Sequence, residues 1–224
     1  MLQRLVIVKP EDPLQWMIDW LQRESDAVPK IAVIGAPGSG KATIARKLAV
    51  QNGAVLIEAS PIASNDEEII SELKDRLTAP GSEPLRRGFV LNNIPSSRKQ
   101  ALLLQQVGIH PQHIIALDAP DSVLLGRRMG KYVDPETGIT YHNVFDWPND
   151  TSLADKLEKA EGADKDIFRV DMEKWQREKV GIFDAYKPAG TVFHVNSDQP
   201  VNDVFYSAFT NLWPVLKLPV GLVL

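Results

Sequence analysis

Cysteine is absent from this 224-residue chain. That excludes disulfides, thiol nucleophiles and any zinc site built on thiolates, while leaving the compartment open. Nor does any run of Lys or Arg occur. With 29 acidic residues against 25 basic ones and a formal net charge of −4, the composition argues against a nucleic-acid surface or a polybasic membrane patch. Long apolar stretches are missing too. Leu5–Val8 is too short for the core of a signal peptide, and the tail near Leu216–Leu224 is interrupted by Lys217 and Pro219, so the expectation is a cytosolic-side protein with no membrane partner. The four histidines, His110, His113, His142 and His194, have no third ligand at suitable spacing, which argues against a zinc-type metal site. What is present is an ordinary globular composition, 44% hydrophobic, long enough to bury one full core with a little chain left over.

The most informative stretch is Ile31-Ala-Val-Ile-Gly35-Ala-Pro-Gly38-Ser-Gly40-Lys41-Ala-Thr43. A short apolar run reads as a buried strand, and the glycines after it let the backbone close around an anion with no Cβ in the way. The helix that follows adds its N-terminal dipole, and Lys41 adds a point charge for the outer phosphates. A bare glycine turn would not require the lysine. The usual pattern continues directly with Ser or Thr to hold magnesium, whereas here Ala42 intervenes before Thr43.

Along the chain, strands alternate with helices. Pro13–Leu21 is an amphipathic helix with Leu14, Met17, Ile18 and Leu21 on one face and Trp16 and Trp20 beside it, which either packs near the first strand or docks another chain. The spacing then predicts a helix over 40–51, a strand over 54–58, a capped helix over 66–77, a loop at Pro80–Ser82, a strand over 89–91, a helix over 97–107 and a strand over 113–117. A helix over 122–128 leads into a small β-lid at about 130–150, followed by a polar stretch to about Asp164. A long helix to about Tyr186, a strand over 191–195 and a helix over 201–212 complete the pattern. The fold expected is α/β: a doubly wound, three-layer, five-stranded parallel sheet with ligands at the carboxyl ends of its strands. The domain covers 30–212, with a docking segment at 1–29 and a tail at 213–224. Asp118, just past the fourth strand, is either a carboxylate near a metal or a strand-end cap.

Three stretches in this order, Gly-Ala-Pro-Gly-Ser-Gly-Lys-Ala-Thr at 35–43, Gly-Phe-Val-Leu-Asn-Asn-Ile-Pro at 88–95 and Asp-Pro-Glu-Thr-Gly-Ile-Thr-Tyr-His at 134–142, resemble the adenylate kinases. Pro-Glu-Asp-Pro near the start, Phe-Asp-Trp-Pro at 145–148 and Asp-Gln-Pro-Val-Asn-Asp-Val-Phe-Tyr at 198–206 look closest to the first domain of that family's two-domain, cilium-associated members. The resemblance implies that Gly35, Gly38, Gly40, Lys41 and Thr43 hold the triphosphate of ATP. It implies that Arg127 lies against the adenine and that Lys131 stands at a lid position usually held by a phosphate-clamping arginine. Magnesium would be held by Thr43 and, through water, by Asn92.

Departures from the family pattern are as informative. Where the family reads Asp-Gly-Phe-Pro-Arg, this chain reads Asn92-Asn93-Ile94-Pro95-Ser96, so both charges are gone. Tyr132 follows Lys131 where a second arginine is common, and Asp171 falls where a phosphate-binding arginine is expected, with Arg169 two residues earlier. Between the second strand and the next helix, the family's arm over the monophosphate acceptor is missing. Transfer between nucleotides requires donor and acceptor held in line, away from water. The expectation is therefore a degenerate adenylate-kinase-like domain in which Lys41, Lys131 and Asn92 are the remnants of the catalytic set. It would act as an interaction module of a ciliary, axonemal assembly, touching protein partners through Pro13–Leu21 and Trp213–Leu224 and still binding ATP. The alternative is a slow nucleoside monophosphate kinase or NTPase.

Overall fold

The structure, a computed structural model, describes residues 12–14, 28–59, 65–189 and 191–212. The expected helix at Pro13–Leu21 beyond Leu14, and the tail at Trp213–Leu224, lie outside the described residues.

Strand β1 (Lys30–Gly35) is central because every residue after Lys30 is buried. It pairs in parallel with β3 (Phe89–Asn92) on one side, Ile31 opposite Val90, and with β4 (His113–Asp118) on the other, Ile34 opposite Ala116. Strand β2 (Val55–Glu58) extends the sheet beyond β3, and β8 (Val192–Asn196) extends it beyond β4. The resulting order, β2-β3-β1-β4-β8, is the five-stranded parallel sheet the alternation implies.

Period-two alternation along β1 separates the two helical layers. Ile31 and Val33 meet Ile44, Leu48, Val204 and Ala208, contributed by α1 (Lys41–Asn52) and α8 (Val201–Leu212). Ala32 and Ile34 face the opposite layer, with Ile70, Leu73, Leu104 and Ile182. These come from α2 (Asp66–Thr78), α4 (Arg98–Gln106) and α7 (Lys165–Tyr186). Side-chain caps set the helix starts: Asn65 accepts from the Glu68 N–H, Ser97 from Gln100, and Asp164 from Asp166 and Ile167. Each satisfies donors the helix leaves open.

Two elements depart from the sequence reading. A short helix, α3 (Glu83–Arg87), follows the loop at Pro80–Ser82, with proline in its first turn and Gly88 after it; its length is below what periodicity resolves. The lid beyond α5 (Asp121–Met129) is more than a hairpin. Strands β5 (Lys131–Val133) and β6 (Thr140–His142) are joined by β7 (Glu158–Lys159), which returns through the short α6 (Thr151–Ala154) to pair with β5. The expected polar stretch thus contains a third lid strand whose charged residues carry no apolar alternation. The hairpin turn is tied by Asp134, whose carboxylate accepts from the Glu136 N–H and the Thr137 hydroxyl. Those bonds, the Thr137 one first, hold its carboxyl below the usual range. Among the described residues, no helix is long and apolar enough to cross a membrane.

Leu91 is fully buried on β3. Leu91→Ala is expected to lower stability by about 2–5 kcal/mol through lost burial and a residual cavity. Val50→Ala, on the exposed face of α1, is expected to stay within about 0.5 kcal/mol of wild type. Urea midpoints of the two variants check the contrast.

Candidate functional site

The loop after β1 lies hard against its surroundings. A Cβ on Gly35 would come within 2.5 Å of the Leu117 carbonyl oxygen, and one on Gly38, where φ is +81°, would run into the Leu124 carbonyl. Only glycine allows that approach and that backbone. Ala36 and Leu124 pack beneath with Phe168 and Met172, so the loop is bolted to β4, α5 and α7.

Lys41 opens α1 and folds back over the loop. Its ammonium donates to the carbonyl oxygens of Gly35 (3.0 Å) and Ala36 (2.8 Å). Its pKa is lowered to about 8, chiefly by burial and also by the nearby Arg128 guanidinium, with Asp171 acting in the opposite direction. Phosphate oxygens are stronger acceptors for an ammonium than two neutral carbonyls.

An open cleft of about 880 Å³ rises from this floor and gathers most of the residues singled out in the sequence. Gly38, Gly40, Lys41 and Thr43 form one side, Asn92 another, and Arg127 and Lys131 the walls toward the lid. Gly35 is buried beneath them. The lid contributes Thr140, Tyr141, His142 and Phe145, and the β8–α8 loop contributes Ser197 to Pro200. Arg127 is pinned by a 2.8 Å bond from its Nη1 to the Ser197 carbonyl, which fixes the guanidinium at the cleft wall.

His142 ties the lid to α5. Its Nδ1 accepts from the Val144 N–H at 3.1 Å, and its Nε2 lies 3.2 Å from the Arg127 carbonyl. This pattern assigns the proton to Nε2. Burial lowers the His142 pKa, which keeps the ring neutral and both bonds in place at neutral pH.

Asn92 donates from Nδ2 to Glu58 Oε1 at 2.7 Å, so a carboxylate from β2 stands one hydrogen bond from the end of β3. Its own Oδ1 is buried and has no hydrogen-bond partner, as does Ser39 Oγ inside the loop. The Ser39 hydroxyl, which can donate, and the glycine-lined floor suit a polyphosphate, whereas Asn92 Oδ1, an acceptor only, suits a cation or its waters. Thr43 and Asn92 Oδ1 could contact a magnesium ion that keeps most of its waters and leans on phosphate oxygens. Among the described residues, no group of three or more His, Asp or Glu could hold a metal alone.

Asp118 is not part of the cleft lining. Its carboxylate accepts from the Ala119 N–H at 3.0 Å, and its carbonyl accepts from Ser197, so it caps a strand end. Arg128 does line the cleft. Sequence reasoning passed it over because adjacent arginines on a helix look alike until their directions are known. Glu58 and Ser197 join the site only through the parallel pairing of β2 with β3 and of β8 with β4.

A glycine-cradled lysine at the end of a central parallel strand, facing a small antiparallel lid, defines a P-loop domain of adenylate-kinase type. Sequence relatives agree. The chain is 35% identical over 230 residues to Adenylate kinase 8 of Rattus norvegicus, covering 94% of this chain and 47% of that protein. It is 35% identical over 228 residues to Adenylate kinase 8 of Homo sapiens, and 26% identical over 199 residues to the chloroplastic adenylate kinase of Zea mays, covering 88% of that protein. The chain is thus similar to adenylate kinases over most of its own length. It spans about half the length of the Adenylate kinase 8 relatives it matches. No protein-family model matches it.

The lowered Lys41 pKa carries a stability signature. Its folded value of about 8 lies below the ordinary 10.5, so between those pH values the unfolded chain binds more protons than the folded one, and stability contributed at this position rises with pH. The difference in urea midpoint between wild type and Lys41→Met is expected to shift in favour of wild type from pH 8 to pH 10. A flat difference contradicts it. Separately, Gly38→Ala is expected to be destabilising by about 1–3 kcal/mol from backbone strain alone, which thermal unfolding measures.

Proposed function

We propose that this chain is a nucleotide-holding adenylate-kinase-like domain whose chief role is interaction, as a structural part of a ciliary, axonemal assembly. One contrast in the cleft carries this reading. The triphosphate side keeps its cradle, Lys41, Thr43, Arg127 and Lys131, while on the acceptor side β2 ends at Glu58 and α2 begins at Asp66. Residues 59–65 leave no room for an arm that covers an acceptor, and the Glu58–Asn92 pair puts negative charge at that edge.

ATP would lie with its phosphates over Gly38, Gly40 and Lys41, its base against Arg127, and Lys131 reaching the tail from the lid. Magnesium, when bound, neutralises phosphate charge and would contact Thr43 and Asn92. Transfer to a monophosphate needs an acceptor held in line and kept dry. Removing one preorganised charge costs about 10²–10³ in rate, and the chain departs from the family at Asn92, Ser96 and Asp171 together. Protein partners would engage Pro13–Leu21 and Trp213–Leu224, stretches whose apolar and aromatic content exceeds what a solvated segment needs. The ciliary setting rests on the sequence resemblance to cilium-associated members. The second reading, a slow nucleoside monophosphate kinase or NTPase, draws on the same donor-side residues and on relatives named as adenylate kinases.

Titration calorimetry of the protein with ATP and magnesium, with AMP added afterwards and ADP assayed, separates these readings. The expected result is ATP binding that Lys41→Ala weakens at least tenfold, with no ADP above background. ADP formation at tens per second overturns the interaction reading, since that is the range of efficient phosphoryl transfer. Absence of binding overturns the nucleotide-holding part.

A further inference from the structure

Helix α5 ends with consecutive arginines, and neighbouring helical positions point about 100° apart. Arg127 is committed to the β8–α8 loop by its bond to Ser197. Arg128 turns the other way, toward the glycine loop and α7. Its Nε donates to the Gly162 carbonyl at 2.8 Å, and its Nη2 lies 3.7 Å from Asp171 Oδ2, too far for a hydrogen bond. A guanidinium carries five N–H donors; among the described residues Arg128 uses one, while its side chain lines the cleft beside Lys41. Its field reaches Lys41, where it disfavours the ammonium.

This placement needs a reason. Two cations directed into one cleft repel each other, and Asp171 compensates only weakly, because the pair is loose and 27% and 43% exposed. Gly162 is shaped to it as well: a Cβ there would run into the Arg128 Nη2. A polyanion bridging Lys41 and Arg128 turns the repulsion into attraction.

We propose that Arg128 is a further phosphate-binding cation of the cleft, beside Lys41 and Lys131, delivering from α5 the positive charge that α7, with Asp171 at the facing position, does not deliver. This rests on the nucleotide-holding reading above. The Gly162 carbonyl holds the guanidinium at the cleft wall, and Asp171 is a weak partner that a phosphate group, carrying more charge at shorter range, displaces. The division of labour is then Arg127 for the base and Arg128 for the phosphates.

The test uses the full chain and three probes in calorimetry: ATP, inorganic tripolyphosphate and adenosine. Arg128→Gln is expected to weaken ATP and tripolyphosphate by about ten- to a hundredfold, the range for a charge-assisted hydrogen bond, and to leave adenosine unchanged. A double variant, Arg128→Asp with Asp171→Arg, moves the cation to α7 and is expected to recover at least tenfold of the tripolyphosphate affinity lost in Arg128→Asp alone. Thermal unfolding confirms that each variant folds; if Arg128→Gln does not fold, the exchanged pair decides the matter. Tripolyphosphate binding that Lys41→Ala abolishes but Arg128→Gln leaves unchanged overturns the role of Arg128 and spares the nucleotide-holding reading. Wild type that binds neither ATP nor tripolyphosphate overturns both.

Discussion

The architecture of the cleft depends on one close approach, the glycine loop lying directly on the carbonyls of Leu117 and Leu124. Because there is no side chain at Gly35 or Gly38, the loop can rest on the end of β4 and the middle of α5 at backbone distance. That contact places the start of α1, and so Lys41, over the carboxyl end of the central strand. It also couples the floor of the cleft to α5, the element that carries Arg127 and Arg128 and leads into the lid.

Around that anchor, the charges are arranged in exchanged pairs. Asparagine ends β3 at the cleft, but a carboxylate is one bond away on β2. An acidic residue occupies the facing position on α7, but a guanidinium meets it from α5. In a site where solvent is partly excluded, a charge acts over several ångströms, so the field at the phosphates depends on where the charged group ends up more than on which strand or helix supplies it. The lysine side of the cleft therefore keeps a positive character that a position-by-position reading of α7 would deny.

The acceptor side is different in kind. Residues 59–65 join β2 to α2, a connection that, on the proposed reading, leaves the acceptor edge without a covering arm. Positioning of a second substrate and exclusion of water are properties of a closed volume, not of single groups. On the reading proposed above, a donor side that is kept and an acceptor edge without a cover would separate holding a nucleotide from turning it over.

Much of this was written in local patterns. The five strands, the capped helices α2 and α4, the long α7 and the phosphate loop follow from periods of two and 3.6, from Asn65, Ser97 and Asp164 at helix starts, and from glycines that admit no other residue, all interactions between near neighbours in the chain. Gly38, Gly40 and Lys41 could be named from the loop pattern itself, whereas Thr43, Asn92, Arg127 and Lys131 follow only from the resemblance to the adenylate kinases. Helix α3 and strand β7 could not be read from local patterns, being too short to show a period. Which way Arg128 points, that Glu58 reaches Asn92, that Ser197 holds Arg127 and that Asp118 caps a strand end are contacts between segments far apart in sequence. They follow from strand order and register, which are set by burying both faces of the sheet at once and leave no trace in any single stretch of chain.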